Sequence, residues 1–183
     1  TLFPYTTLFR SRRTKVQSWF LDMNLIMDYW GAGSRRAYHH TAPVNTLYAL
    51  HEALLILQEE GLEASWRRHV HHHKALVLGL ESMGLQLIVA PHSRLPQLNA
   101  VGVPEGVEEA AVRSALLKNY SLEIGAGLGS LAGKVWRIGL MGFACQQRNV
   151  MFCLSALEET LLSLGADINP GKASQAAAQY YRS

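Results

Sequence analysis

"LEIGAGLGSLAGKVWRIGLMG", residues 122–142, decides the fold. Two short apolar runs, 122–129 and 134–142, flank a glycine-rich turn, and short apolar runs bounded by turn residues read as strands. The same pattern extends outward on both sides. "LQLIVA" (85–90) and "LNAVGVP" (98–104) read as two further strands, "VEEAAVRSALLKNY" (107–120) as a helix and "RNVMFCLSALEETLLSLG" (148–165) as a last helix. With the helix that precedes them, the order helix, strand, strand, helix, strand, strand, helix predicts an α/β sandwich with mostly antiparallel pairing. The tail, 166–183, has little periodicity until its end and reads as surface-lying or frayed.

Upstream the pattern is helical throughout. "SWFLDMNLIMDYWG" (18–31) places Trp19, Leu21, Ile26, Tyr29 and Trp30 at helical spacing and stops at Gly31. From Pro43 to Glu60, Val44, Leu47, Leu50, Leu54 and Leu57 recur every three or four residues and predict one buried face, ended by Gly61. A further helix over 62–84 turns Trp66, Val70, Leu76 and Leu80 inward and closes at Gly84. The helices before Gly61 have no sheet of their own to cover. They read as the end of a larger domain over 13–60, followed by a small α/β domain over 61–165 and the tail. Residues 1–12 nearly repeat themselves (TLFPY, TTLFR), carry no clear period and read as a non-native or disordered leader.

Composition sets the outer limits. The chain has 183 residues, 49% hydrophobic and 17% charged, enough to bury a real core. Its net charge is +3, with lysines and arginines scattered instead of forming a basic stripe, so nucleic acid is not implied. No apolar run approaches the roughly 20 residues that span a bilayer, so a membrane is not implied either. Cys145 and Cys153 stand eight apart on what reads as one helix, with neither a disulfide framework nor a CxxC metal pattern. They suit core filling in a reduced, cytoplasmic protein.

Three groups of residues carry candidate chemistry. In "YHHTAP", Tyr38 and Thr41 stand at the mouth of the helix opened by Pro43, where unpaired N–H groups and the helix dipole favour an anion such as phosphate. Either both hydroxyls serve that anion, or Thr41 caps the helix and Tyr38 packs locally. His39 and His40, being adjacent, are expected to diverge and not to share a metal. In "HVHHH", His69 and His73 have i, i+4 spacing, but no carboxylate or cysteine completes a metal shell. With Arg67, Arg68 and Lys74 beside them they read as a solvated basic face, and no metal is expected. Arg137, inside an apolar strand, needs an anionic mate: either a ligand carboxylate or an internal Asp or Glu. "GAGLGSLAGK" lacks phosphate-loop spacing, so its glycines read as turn formers.

"YHHTAPVNTLYALHEAL", "EEGLEASWRRH", "GLQLIV" and "LEIGAGLGSLAGKVWRIGLMG", in this order and spacing, resemble the C-terminal part of the alanine–glyoxylate (serine–pyruvate) aminotransferases, the class V group of pyridoxal-phosphate enzymes, from about residue 17 to about 164. The resemblance implies fold type I: a large domain and a smaller C-terminal α/β domain, in a homodimer with shared active sites. It implies that Tyr38 and Thr41 bind the phosphate of the partner subunit's pyridoxal 5'-phosphate. It gives Arg137 the substrate carboxylate, and small amino and 2-oxo acids as substrates. Lys15, Lys74, Lys118, Lys134 and Lys172 match none of the family's Schiff-base lysine positions, so no catalytic residue is expected here and the chain reads as a C-terminal fragment, inactive alone. Two alternatives stand beside it. One is a stand-alone α/β dimerisation module. The other is a kynureninase- or desulfurase-like relative, against which the placement of both cysteines at or within the last helix counts.

Overall fold

The computed structural model describes residues 14, 16–30 and 37–183. The leader 1–12, Lys15 and the helix stop at Gly31 therefore lie outside the described residues. Two compact units divide within one helix, between Leu55 and Ile56.

The first unit contains helix α1, Met23–Trp30, and most of α2, Val44–Glu60. Helix α1 starts later than its apolar spacing predicts: Trp19, Phe20 and Leu21 lie in a bend and turn before it, all exposed. Asp22 then supplies what a helix start needs, its carboxylate accepting the N–H of Asn24 at 3.0 Å. The predicted buried face of α2 is absent. No residue of this helix is buried, and Val44, Leu47, Leu50 and Leu54 are all exposed. Spacing fixes which residues share a face, but a face is buried only where something packs on it.

The second unit holds the core. Gly61, at φ 81°, turns the chain from α2 into α3, Leu62–Ser82. Helix α3 ends in a Schellman arrangement: the Leu85 N–H reaches the Leu80 carbonyl at 2.9 Å and the Gly84 N–H that of Glu81 at 3.1 Å, with Gly84 at φ 99°. Its inward face is set by Leu76 and Leu80, fully buried, together with Ser65 and His69. Trp66 and Val70, expected inward, are 59% and 40% exposed. The apolar stripe of the first two turns thus gives way to a polar one.

Three strands follow: β1 Leu98–Gly102, β2 Gly125–Ala126 and β3 Val135–Gly139, antiparallel in the order β1-β3-β2. Helix α4, Glu109–Tyr120, lies between β1 and β2 in sequence, and helix α5, Gln147–Ser163, follows β3. The predicted strand over 85–90 is not one. Its only ladder contact is an isolated bridge from Leu87 to Val101, and the chain then enters a 3-10 turn at Pro91–Ser93. Alternation along β3 sends Trp136 and Ile138 into the core with Val101 from β1, and leaves Arg137 on the opposite face. Trp136 is fully buried, its indole N–H donating to the Glu109 carbonyl at 3.2 Å. Leu154, Leu157 and Leu161 of α5 complete the core.

The tail corrects the expectation of a frayed end. Lys172–Arg182 forms helix α6, which packs on α3 and α5. Ala173 and Ala177 are fully buried, and side chains this small let α6 sit close. Where it faces Leu154 and Ala173, α3 carries Gly79: a Cβ there would overlap the methyls of Leu154 and lie 3.1 Å from the Ala173 carbonyl.

Candidate functional site

The helix mouth belongs to the first unit. Over 37–43, ahead of α2, the chain has no regular structure and bends at His40. The hydroxyls of Tyr38 and Thr41 lie 2.8 Å apart and both residues are exposed. Thr41 is thus turned to Tyr38. Pro43 stands just before the first helical residue, its carbonyl accepting the Leu47 N–H at 3.0 Å, while the Val44 N–H reaches back to Ala42 at 2.8 Å. Next to Tyr38 in the chain, His39 is buried and stacked on Trp19, with ring centroids 4.1 Å apart.

The two adjacent histidines do meet, against expectation: their Nδ1 atoms are 2.7 Å apart. The tautomers follow from the partners. His39 Nε2 faces the Trp19 carbonyl at 3.0 Å, and a carbonyl only accepts, so Nε2 carries the proton. In the neutral ring His39 Nδ1 is then an acceptor and His40 Nδ1 the donor. A shared proton holds the rings together where a metal pair would need two free lone pairs.

The second histidine group is not the solvated basic face that its composition predicts. His69 is buried, its Nδ1 on the Ser65 carbonyl at 2.7 Å. His73 Nδ1 meets Asn99 Oδ1 at 2.7 Å, and Asn99 Nδ2 continues to the Ile138 carbonyl at 3.3 Å, a chain linking α3 to both β1 and β3. His71 and His72 pair with the hydroxyls of Tyr180 and Tyr181 at 3.2 and 2.9 Å. Burial lowers the pKa of both His72 and His73 below the usual value, which favours neutral rings. Among the described residues no three His, Cys, Asp or Glu side chains gather as a metal site. The i, i+4 spacing that invites a metal reading here serves packing instead.

Arg137 belongs to the second unit and sits mid-strand on β3, partly buried on the face away from the core. Its register partners are small on both sides: Ala100 of β1 and Gly125 of β2. Its Nε donates to the Ala126 carbonyl at 2.7 Å, and among the described residues no carboxylate pairs with it. The internal ion pair left open by the sequence is not formed. Gly125 and Gly127 are not turn formers as expected. A Cβ on Gly125 would press on Arg137 itself, and one on Gly127 would overlap the Leu131 carbonyl. Gly129 and Gly133, at φ 57° and 73°, do make the turn. A glycine inside a strand pattern signals close approach of another group, and this was the readable clue.

Sequence reasoning also missed Arg68. Its guanidinium binds Glu60 through two bonds, of 2.5 and 2.8 Å, and donates to the carbonyls of Gly142 and Cys145 at 3.1 and 3.0 Å. Glu60 is held below the ordinary carboxylate range by that bond to Arg68. Cys145 precedes α5 and closes a 3-10 turn, while Cys153 lies within the helix, so the two do not share one. Both thiols are free and buried, and burial pushes that of Cys153 up to about 12. Neither has the exposed, low-pKa setting of a sulfur nucleophile. No helix among the described residues is long and apolar enough to cross a membrane.

No family model matches the chain. Curated proteins do: it is 42% identical over 166 residues to (S)-ureidoglycine–glyoxylate transaminase of Bacillus subtilis, covering 91% of this chain and 39% of that protein. It is 44% identical over 153 residues to alanine–glyoxylate aminotransferase of Callithrix jacchus, covering 82% of this chain and 37% of the relative. The crystal structure of the ureidoglycine–glyoxylate aminotransferase from Bacillus subtilis superposes with a TM-score of 0.90 at 40% identity, covering 97% of this chain and 46% of that one. The chain therefore spans about two-fifths of the length of the relatives it matches.

Proposed function

We infer that this chain, similar along most of its length to glyoxylate aminotransferases, is the C-terminal part of a pyridoxal-phosphate-dependent enzyme that passes an amino group to glyoxylate. Glyoxylate is the acceptor because it is common to the names of both relatives. The donor is a small amino acid: alanine or serine on the sequence resemblance, ureidoglycine if the chain follows its Bacillus relative. The domain assignment is the one read from sequence, with 13–60 closing a large cofactor-binding domain and 61–165 forming the small one. The active sites are shared across a homodimer.

The observation that carries this reading is Arg137. A guanidinium partly withdrawn from water among small residues, with one N–H on a carbonyl and no carboxylate partner among the described residues, has its remaining donors open to an anion from outside. Amino and oxo acids offer a planar carboxylate, which matches that fork. The Tyr38 and Thr41 hydroxyls fit a phosphate: both are exposed close before the helix start at Val44, and although one proton is shared between them at 2.8 Å, each O–H can rotate from its partner to an arriving phosphate oxygen. Bound pyridoxal phosphate would supply the electron sink for carbon–nitrogen bond exchange. This chain's residues bind and orient: Tyr38 and Thr41 hold the phosphate, and Arg137 fixes the substrate's carboxylate end so that its reacting carbon is held in one place.

The test is kinetic, in the complete enzyme. Arg137→Lys keeps the charge but loses the planar fork, so kcat/KM should fall by about a hundredfold for every α-carboxylate substrate. Tyr38→Phe with Thr41→Val should release cofactor faster on dialysis while leaving the fold intact. Unchanged kinetics in the first, or unchanged retention in the second, removes the corresponding assignment. The 183-residue chain alone, incubated with cofactor and reduced with borohydride, should show only scattered, substoichiometric lysine labelling. A single lysine labelled to completion would overturn the reading.

A further inference from the structure

The surroundings of Arg137 say how it meets a carboxylate, and this step rests on the substrate role just proposed for it. The ladder between β2 and β3 pairs Gly125 with Arg137 and Ala126 with Trp136, and beyond the strand the Gly127 N–H meets the Val135 carbonyl at 2.9 Å. In an antiparallel pair, hydrogen-bonded and non-hydrogen-bonded positions alternate. Positions 125 and 127 are therefore bonded to β3, and Ala126 points its own N–H and carbonyl away from β3, to the outer edge of the sheet. Yet Arg137 Nε reaches that carbonyl at 2.7 Å. The side chain does so by crossing over β2, and it crosses at Gly125. A Cβ built on Gly125 would lie 3.3 Å from Arg137 Nη2 and 3.4 Å from its Cβ and Nε, so the stem occupies the space that any other residue would fill.

We propose that Gly125 and the Ala126 carbonyl together orient Arg137 so that a substrate carboxylate is taken end-on, by Nη1 and Nη2, and not along the Nε edge. An arginine can grip a carboxylate bidentately in either way. The single hydrogen on Nε is committed to Ala126 here, so the Nε edge is spent and the two terminal nitrogens remain. Gly125 is a positioning residue: it touches no substrate and acts through Arg137. The glycine also makes the edge carbonyl reachable, since with a side chain at 125 the guanidinium would be lifted off the sheet and all five of its donors released to rotate.

Two measurements test this. In the isotope-labelled chain, the Nε–H resonance of Arg137, identified by its loss in Arg137→Lys, should exchange slowly with water. Gly125→Val should accelerate that exchange by about tenfold or more, and Gly125→Ala by less, because a lone Cβ meets Arg137 only at the tight end of ordinary contact. In the complete enzyme, Gly125→Val should raise the KM for glyoxylate by about tenfold with kcat changed less, and should add nothing further in an Arg137→Lys background, as expected for residues that act as one unit. If Gly125→Val does not fold, Gly125→Ala gives the same comparisons at smaller amplitude. Should Arg137→Lys leave KM unaltered, the carboxylate role itself falls. Should Arg137→Lys raise KM while the Gly125 variants leave both KM and Nε–H exchange as they were, or should the two substitutions multiply independently, the role of Arg137 stands and the positioning proposal is overturned.

Discussion

Helices α2 and α5 are both seventeen residues long, and both carry apolar residues at helical spacing, yet α5 buries seven residues and α2 none. Nothing in their periods separates them. What differs is supply: α5 meets α3, α4 and α6 within its own unit, whereas Val44, Leu47, Leu50 and Leu54 of α2 present an apolar surface to solvent. An amphipathic pattern is a statement about what a helix can bury, and its partner has to come from somewhere else in the sequence. A chain that spans about two-fifths of its relatives' length leaves room for that partner elsewhere. Exposed apolar faces of this kind also drive association, so the isolated chain should self-associate through α2.

The comparison can be broken most directly by truncating side chains in the core and on the exposed face of α2. Trp136→Ala, at a fully buried site with an engaged indole, should cost about 3–5 kcal/mol, and Leu157→Ala in α5 about 2–5 kcal/mol. The geometrically similar Leu50→Ala in α2 should change stability by less than about 0.5 kcal/mol. Urea unfolding of the three variants beside the parent chain, at chain concentrations low enough to keep it monomeric, reads all three values. A Leu50→Ala loss as large as that of Leu157→Ala would mean that α2 is packed after all.

A smaller effect sharpens the account of α3. His72 and His73 have folded pKa values lowered from the ordinary 6.5 by burial. As pH falls below that value the unfolded chain takes up protons first, so stability is full above about 6.5 and declines until the folded values are passed. Replacing both by Gln should flatten the dependence of the unfolding midpoint between neutral and mildly acid pH, and an unchanged slope would show that neither ring titrates differently on folding.

Smaller still is the effect at the C-terminal end of α2, where Glu60 meets Arg68. The folded carboxylate is held below its ordinary value, 4.5, by that bond, so its contribution is present above the ordinary value and disappears as pH drops through the folded one. Stability curves for Glu60→Gln and the parent chain should therefore lie apart near neutrality and converge in acid. Curves that stay parallel down to strong acid would show that the pair contributes no charge-dependent stability.

How much of this was legible differs by element. The paired strands around Val135–Gly139 and the helices at α3, α4 and α5 follow from period and punctuation, because their apolar residues and their partners lie in the same stretch of chain. The run 85–90 misled because apolar content without a neighbouring strand in register gives at most a bridge, here Leu87 to Val101. Helix α6 was missed because its buried residues are alanines, Ala173 and Ala177, which give almost no hydrophobic signal. Of the candidate site, Arg137 was visible as a charge out of place in a strand, and Tyr38 with Thr41 as hydroxyls before a helix. The crossing over Gly125 and the polar links made by His69, His72 and His73 were not. The links of His72 and His73 depend on residues far away in sequence and that of His69 on a backbone carbonyl, while the crossing lies within one hairpin, where the strand glycine hints at a close approach but not at which side chain makes it.

Gly79 governs how the end of the chain can dock. Because Leu154 and the Ala173 carbonyl both close on the place where its Cβ would be, α3, α5 and α6 share one clearance. Helix α6 buries Ala173 and Ala177 there, four residues and so about one turn apart. Each residue advances a helix by about 100°, so a slip of a single position would bring Ser174 round in place of Ala173 one way and Lys172 the other, polar groups with no room at that spot. The joint is therefore keyed: the alanines of α6, which carry little hydrophobic weight, set its phase by shape, and the bonds of Tyr180 and Tyr181 to His71 and His72 fix the same seating by chemistry.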